Sequence, residues 1–304
     1  MTDFKIRGLC AAAHTPFDAS GALNLAAVEA QVRRYRETGI RLAFIGGSTG
    51  ESHSLGFAER RTLAERWLDV AKGTGLSVIV HVGSNCLADA RELAAHAARS
   101  GAAAVSMLTP SYFKPSGVDT LIRCCAPVAA AAPELPFYYY DIPALTGVLT
   151  NMEEFLERAP AAIPNLAGIK FTNADFLQFQ LCHRFAGGRF DIPYGNDEYF
   201  LGAYAMGARG AVGSTFNFAP GIYRRMIAAA ERGDYATAAD EQFRSVLLVK
   251  TLAKRGYLGA AKALMDRLGV PVGPARLPQG NPDADALKAL FAELEAIGFF
   301  DWND

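Results

Sequence analysis

Neither sign of charge dominates this chain of 304 residues: 30 lysines and arginines face 31 aspartates and glutamates, a net charge of −1. That balance gives no general attraction to nucleic acid or to an acidic membrane surface, and no basic run interleaved with aromatics is found. Also missing is any uninterrupted apolar stretch of the ~18–20 residues a membrane-crossing helix needs. The opening Met1-Thr2-Asp3-Phe4-Lys5 has neither the basic nor the apolar part of a secretory leader. Cysteine is scarce: Cys10, Cys86, Cys124, Cys125 and Cys182 are odd in number and show no CxxC or Cys/His ligand spacing. Reduced thiols and a cytoplasmic location are therefore expected. His14, His53, His81, His96 and His183 are scattered as well, so no metal site is expected. No GxGxxG follows any apolar run and no Gly-Lys-Ser/Thr closes a glycine-rich loop, which leaves no nucleotide or dinucleotide site to propose.

What the chain does have is apolar residues, 51% of the total, enough for one large core. Short apolar runs recur at 9–13, 42–45, 78–82, 104–108, 136–140, 166–171, 190–194 and 210–213, each followed by an amphipathic segment. Continuous rather than alternating apolarity suits parallel strands covered on both faces. Leu63, Ala64, Trp67, Leu68 and Ala71 form one helical face that Gly73 ends, and Ala90, Leu93, Ala94 and Ala97 repeat the pattern before Gly101. Gly39 and Gly207 stand where a left-handed helix terminus is needed ahead of the next strand. Eight such units predict an α/β fold, a (β/α)8 TIM barrel, and the lack of a GxGxxG argues against a doubly wound sheet.

After Gly213 the pattern is helical, with breaks near Gly233 and Gly256. A Pro/Gly-rich connector over 270–282 leads to a last helix whose face carries Leu287, Leu290, Phe291, Leu294 and Ile297. The expectation is a single domain over 1–304, with a barrel core at 1–220 and a C-terminal helical extension at 221–304.

The run Leu166-Ala167-Gly168-Ile169-Lys170-Phe171 ends in a lysine where a buried strand has little use for one. An unpaired ammonium there costs several kcal/mol, roughly, after relaxation. Burial favours the uncharged amine, and an uncharged amine attacks a ketone to form a Schiff base. The competing reading is a lysine that reaches the strand end or pairs with a carboxylate. In a barrel, catalytic groups gather at the C-terminal ends of strands. Other features fall at that end too: Tyr140, the turn Gly46-Gly47-Ser48-Thr49-Gly50-Glu51, the stretch Gly195-Asn196-Asp197-Glu198, and Gly213-Ser214-Thr215. The turn reads either as a tight turn with a helix cap or as an anion cradle in which backbone N–H groups and two hydroxyls close on a carboxylate. Taken singly, Tyr140 also reads as packing, Asp197-Glu198 as a solvated turn, and Ser214 as a cap.

Three segments together resemble a known family. Gly46 to Glu51, Tyr140-Asp141-Ile142-Pro143-Ala144-Leu145-Thr146-Gly147 and the strand ending in Lys170 are similar to the signatures of the dihydrodipicolinate synthase/N-acetylneuraminate lyase superfamily, the Schiff-base, pyruvate-dependent class I aldolases. Residues 129–140, 212–217 and 273–278 resemble its N-acetylneuraminate lyase branch, especially the animal type. The resemblance implies Lys170 as Schiff-base former, Tyr140 as proton shuttle and Ser48 and Thr49 on the keto acid's carboxylate. It implies Thr172 beside the Schiff base and Gly195, Asp197, Glu198 and Ser214 on a hydroxyl-rich sugar tail. Leu145 stands where dihydrodipicolinate synthases carry an arginine for a second carboxylate. Asp141 departs from the asparagine usual in bacterial lyases, and Asn196 and Tyr257 fall at neighbouring positions that vary. Tyr112 matches a position that reaches into a neighbouring subunit's site. The implied activity is cleavage of N-acetylneuraminate to N-acetylmannosamine and pyruvate, in a homotetramer that needs neither metal nor organic cofactor and binds neither nucleic acid nor membrane. The alternatives are a pyruvate aldolase for another 2-keto-3-deoxy sugar acid, a dihydrodipicolinate synthase-like condensation, and, in another class, a non-catalytic keto-acid-binding protein.

Overall fold

The computed structural model describes residues 4–302. Residues 1–3 of the opening stretch and residues 303 and 304 lie outside the described residues. Seven strands form one all-parallel sheet: β1 (Gly8–Ala12), β2 (Leu42–Ile45), β3 (Ser77–His81), β4 (Ala104–Leu108), β5 (Phe137–Asp141), β6 (Leu166–Phe171) and β7 (Gly210–Gly213). Their order, β6-β5-β4-β3-β2-β1-β7, is the consecutive winding of a barrel.

The sequence predicts eight strands, and the run at 190–194 is the exception. It fills the gap between β6 and β7 through single bridges only, Gly168 with Asp191, Phe171 with Tyr194, and Tyr194 with Ala211. Ile169 N–H donates to Asp191 O (3.0 Å) and Tyr194 N–H to Gly210 O (3.0 Å), so the ring closes. Pro193 has no N–H to give, and a ladder cannot run regularly through it. The product is a (β/α)8-type barrel whose eighth stave is broken.

Alternation along β5 shows how the barrel is filled. Phe137 and Tyr139 join the layer between sheet and helices, while Tyr138 and Tyr140 join the inner cluster with Cys10, Phe44, Ile79 and Val212. On β6, Ile169 and Phe171 face outward. Gly168 and Lys170, at the alternate positions, therefore point inward. Gly168 has no room for a side chain: a Cβ there would sit 1.7 Å from Asp191 O.

Helices α1 (Ala27–Glu37), α2 (Phe57–Ala71), α3 (Leu87–Arg99), α4 (Val118–Ala129), α5 (Pro143–Thr146), α6 (Met152–Arg158), α7 (Phe176–Arg184) and α8 (Phe200–Ala205) surround the sheet. Trp67 of α2 is fully buried and stacks on Tyr35 of α1. After β7 come α9 (Pro220–Glu231), α10 (Tyr235–Ala253), α11 (Tyr257–Arg267) and α12 (Ala284–Ala296), with breaks at Gly233 and Gly256, both in the left-handed region. α10 reaches back to the barrel mouth, where Gln242 Nε2 donates to Asp197 O (3.1 Å) and Leu201 N–H donates to Gln242 Oε1 (2.6 Å). No helix among the described residues is long and apolar enough to cross a membrane.

Candidate active site

Lys170 ends β6 inside the barrel mouth and is only 3% exposed. Its Nζ lies 3.7 Å from the centroid of the Tyr140 ring and 4.1 Å from that of Phe44. Among the described residues it enters no ion pair, so the reading in which it snorkels or pairs with a carboxylate does not describe it. Phe44 and Tyr140 meet edge to face at 5.8 Å, and Tyr140 meets His81 edge to face at 5.7 Å. The amine is thus packed against aromatic rings and almost closed off from solvent. Burial holds His81 well below its ordinary value, with Arg60 and Lys170 adding repulsion, so the imidazole beneath the amine is neutral. Burial likewise pushes the Cys10 thiol up to about 12, against the pull of Lys170, and it carries no charge at neutral pH.

Tyr140 Oη lies 3.3 Å from Ser48 Oγ, which brings the end of β5 onto the turn after β2. That turn is compact because its glycines permit it. A Cβ on Gly50 would stand 2.8 Å from Gly46 N, and one on Gly47 would stand 2.7 Å from the Phe44 ring. Ser48 and Thr49, both half-buried, sit at its crest. Lysine, phenol and hydroxyls therefore converge at one end of the barrel.

A second cleft of about 360 Å³ opens beside this pocket, lined by Gly195, Asn196, Asp197, Glu198, Ser214 and Tyr257. Asp197 is buried, and its Oδ2 accepts from Thr215 N–H (2.8 Å) and Thr215 Oγ1 (2.7 Å). Burial raises its carboxyl to about 6 despite those two donors. Ser214 Oγ and Tyr257 Oη share a hydrogen bond of 2.7 Å. Backbone crowds in here as well: a Cβ on Gly213 would meet Asp197 Oδ1 at 2.3 Å, and one on Gly195 would meet Thr172 Oγ1 at 1.9 Å. Thr172 Oγ1, two residues after Lys170 and just past the end of β6, is buried and has no hydrogen-bond partner among the described residues, so a donor and acceptor stand free there.

Two predicted residues stand apart. Leu145, on α5, is 67% exposed, and Tyr112, in the loop after β4, is 79% exposed beside an equally bare Phe113. Both lie on the surface of this chain rather than in its pocket. Other residues were not assigned to the site from the sequence: Phe44 and His81, which pack around the amine, and the buried Lys262 of α11, which bonds Glu51. Phe44 and His81 carried a signal, since each sits at an inward register position near the C-terminal end of its strand. Lys262 carried one too, standing four residues after Leu258 and beside Ala261 and Met265 on an apolar helical face.

Comparisons with known proteins agree with this geometry. N-acetylneuraminate lyase A of Xenopus laevis is 42% identical over 277 residues, 90% of each chain. N-acetylneuraminate lyase of Homo sapiens is 38% identical over 304 residues, 99% of this chain and 95% of the relative. Among solved structures, Proteus mirabilis N-acetylneuraminate lyase superposes with a TM-score of 0.94 at 38% identity, covering 97% of this chain and all of the other. With the family model of the dihydrodipicolinate synthetases matching residues 5–297, the chain belongs to the dihydrodipicolinate synthetase family.

Proposed function

We propose that this chain is a class I aldolase that cleaves N-acetylneuraminate to N-acetylmannosamine and pyruvate through a Schiff base on Lys170. The observation that carries the reading is a lysine 3% exposed, without an ion pair among the described residues, held against the ring of Tyr140, whose phenol lies 3.3 Å from Ser48 Oγ. Lys170 Nζ attacks C2 of the 2-keto acid, and loss of water leaves an iminium that draws electrons from the C3–C4 bond. Ser48 and Thr49, with the backbone N–H groups of their turn, grip the carboxylate and fix its orientation. The Tyr140 phenol moves protons during iminium formation and takes the C4 hydroxyl proton as the bond breaks. The aldehyde departs, the enamine is protonated, and water releases pyruvate. The iminium nitrogen is itself the electron sink, so the cycle calls for neither metal nor organic cofactor.

The sugar tail extends into the cleft of Asp197, Glu198, Gly195 and Ser214, where a buried carboxyl, hydroxyls and close backbone suit a polyol. Thr172 Oγ1 offers its free bond beside the Schiff base. Leu145 cannot hold a second carboxylate, which favours a sugar acid over a dihydrodipicolinate synthase-type condensation. The bare Tyr112 and Phe113 support an assembly in which Tyr112 reaches a neighbouring subunit, a homotetramer by the family's habit. Five free cysteines suit a reducing compartment such as the cytoplasm.

Borohydride added with pyruvate tests the core of the reading: a stable mass increase is expected on the peptide that contains Lys170, and an unlabelled protein would overturn it. A panel of keto sugar acids read by pyruvate release then fixes the substrate, with N-acetylneuraminate expected to lead. Adduct formation without release from any member would favour a non-catalytic binding protein. Sedimentation of the purified protein decides the tetramer.

A further inference from the structure

The turn that carries Ser48 and Thr49 is held in place from outside the barrel. Its last residue, Glu51, adopts a left-handed conformation (φ 54°, ψ 37°) that an L side chain rarely takes. Its carboxylate is buried between two donors: Lys262 Nζ on Oε1 at 2.8 Å and the Arg276 backbone N–H on Oε2 at 2.7 Å. Lys262 is 0% exposed and spends its other two N–H bonds on Thr15 O (2.9 Å) and Pro274 O (2.8 Å). Thr15 in turn donates from Oγ1 to Gly50 O at 2.6 Å, a second tether on the same turn. The Arg276 side chain closes the ring, bonding Gly21 O, Ser54 O and the Glu59 carboxylate.

A buried ion pair is rarely the most stable way to fill a core, and its best-attested service is to fix one arrangement among several. Here it fixes a strained residue two positions beyond Thr49, the second of the hydroxyls proposed to grip a carboxylate. We propose that Glu51 and Lys262 are positioning residues that preset the carboxylate-gripping turn, so that helix α11 and the connector after it control keto-acid affinity from the far side of the turn. The proposal rests on the aldolase reading above. Neither side chain touches substrate in it; they act through Ser48, Thr49 and the N–H groups between.

The test compares the full-length parent with Glu51→Gln, Lys262→Met, the double variant and Arg276→Met. Each is followed by urea unfolding and by steady-state kinetics on the same keto sugar acid. Carboxylate binding is made in ground and transition states alike, so a loosened turn raises KM by roughly 10–100-fold while kcat falls far less. The double variant removes both charges together and is expected to regain stability relative to either single variant while KM stays high. Arg276→Met, which leaves the buried pair intact, is expected to raise KM by a few-fold. It carries the test with the double variant if a single variant fails to fold. Unchanged KM in the folded variants, or a KM that recovers in step with stability in the double variant, would show a purely structural pair and overturn the proposal. A parent enzyme that pyruvate and borohydride fail to label would instead overturn the aldolase reading itself.

Discussion

Two lysines are buried among the described residues, and they are solved in opposite ways. Lys262 is wholly enclosed and has a carboxylate and two carbonyls, one for each of its N–H bonds. Lys170 is as nearly enclosed, yet it faces two aromatic rings and no carboxylate. Burial alone therefore does not mark a nucleophile; burial without a partner does. Lys262 spends its N–H bonds on holding a turn, whereas the Lys170 amine has no such partner and is left for the carbonyl carbon in the proposed reaction. The two are joined through that turn, since Lys262 braces Glu51 and Ser48 stands against Tyr140.

The same substitution at both sites breaks the comparison most sharply. Lys170→Met is expected to lower turnover by roughly 10⁴-fold or more, the scale on which enzymes lose a nucleophile, and to abolish labelling by pyruvate and borohydride. Because nothing is left unpaired, its urea midpoint should hold or rise. Lys262→Met is expected to do the reverse. It strands the Glu51 carboxylate and should lose about 3–5 kcal/mol in urea unfolding, while Lys170 in the folded fraction still takes the label. Equal losses of stability at the two sites would refute the distinction.

Tyr140→Phe asks how much of the pocket's chemistry depends on the phenol rather than on the ring. The ring contact with Lys170 survives and the bond to Ser48 does not. A fall in kcat of roughly 10²–10⁴-fold is expected, with slow adduct formation still detectable by mass. Full activity would make Tyr140 packing around the amine and nothing more.

How much of this was legible in the residues follows the same division. Lys170 stood out because a strand six residues long has no polar side to hide a lysine on, and the register alone sends it inward. Lys262 stayed hidden because a helix always offers a solvated face, and only its neighbours Leu258, Ala261 and Met265 betray that it points the other way. The strand ends matched the apolar runs to within about a residue. The run at 190–194 did not become a regular strand, and Pro193 is the visible reason. Ser48 and Tyr140 were separately readable, but their contact across 92 positions comes only from the closing of the barrel. The bracing of Glu51 by residues more than 200 positions away is legible in no local pattern at all.

A buried acid supplies the last variation. Asp141, the residue after Tyr140, is nearly enclosed, and its side chain has one weak donor, Asn173 Nδ2 at 3.4 Å. It is the acidic counterpart of Lys170, buried and barely partnered. Burial raises its carboxyl from 3.8 to about 7, with Asn173 opposing. Between those values the folded chain keeps a proton that the unfolded chain has released, so this group makes stability fall as pH rises from about 4 to about 7. Asp141→Asn removes the titration and keeps the shape. Near pH 4 variant and parent should unfold at similar urea concentrations, and near pH 8 the variant should be the more stable by a few kcal/mol, as an order of magnitude. Turnover should change little, because the carboxyl points away from the barrel interior that holds Tyr140 and Lys170. A stability difference that does not vary between pH 4 and pH 8 would mean that the folded chain does not hold the Asp141 proton above its ordinary range, and that a buried charge in this fold does not need the partner Lys262 was given.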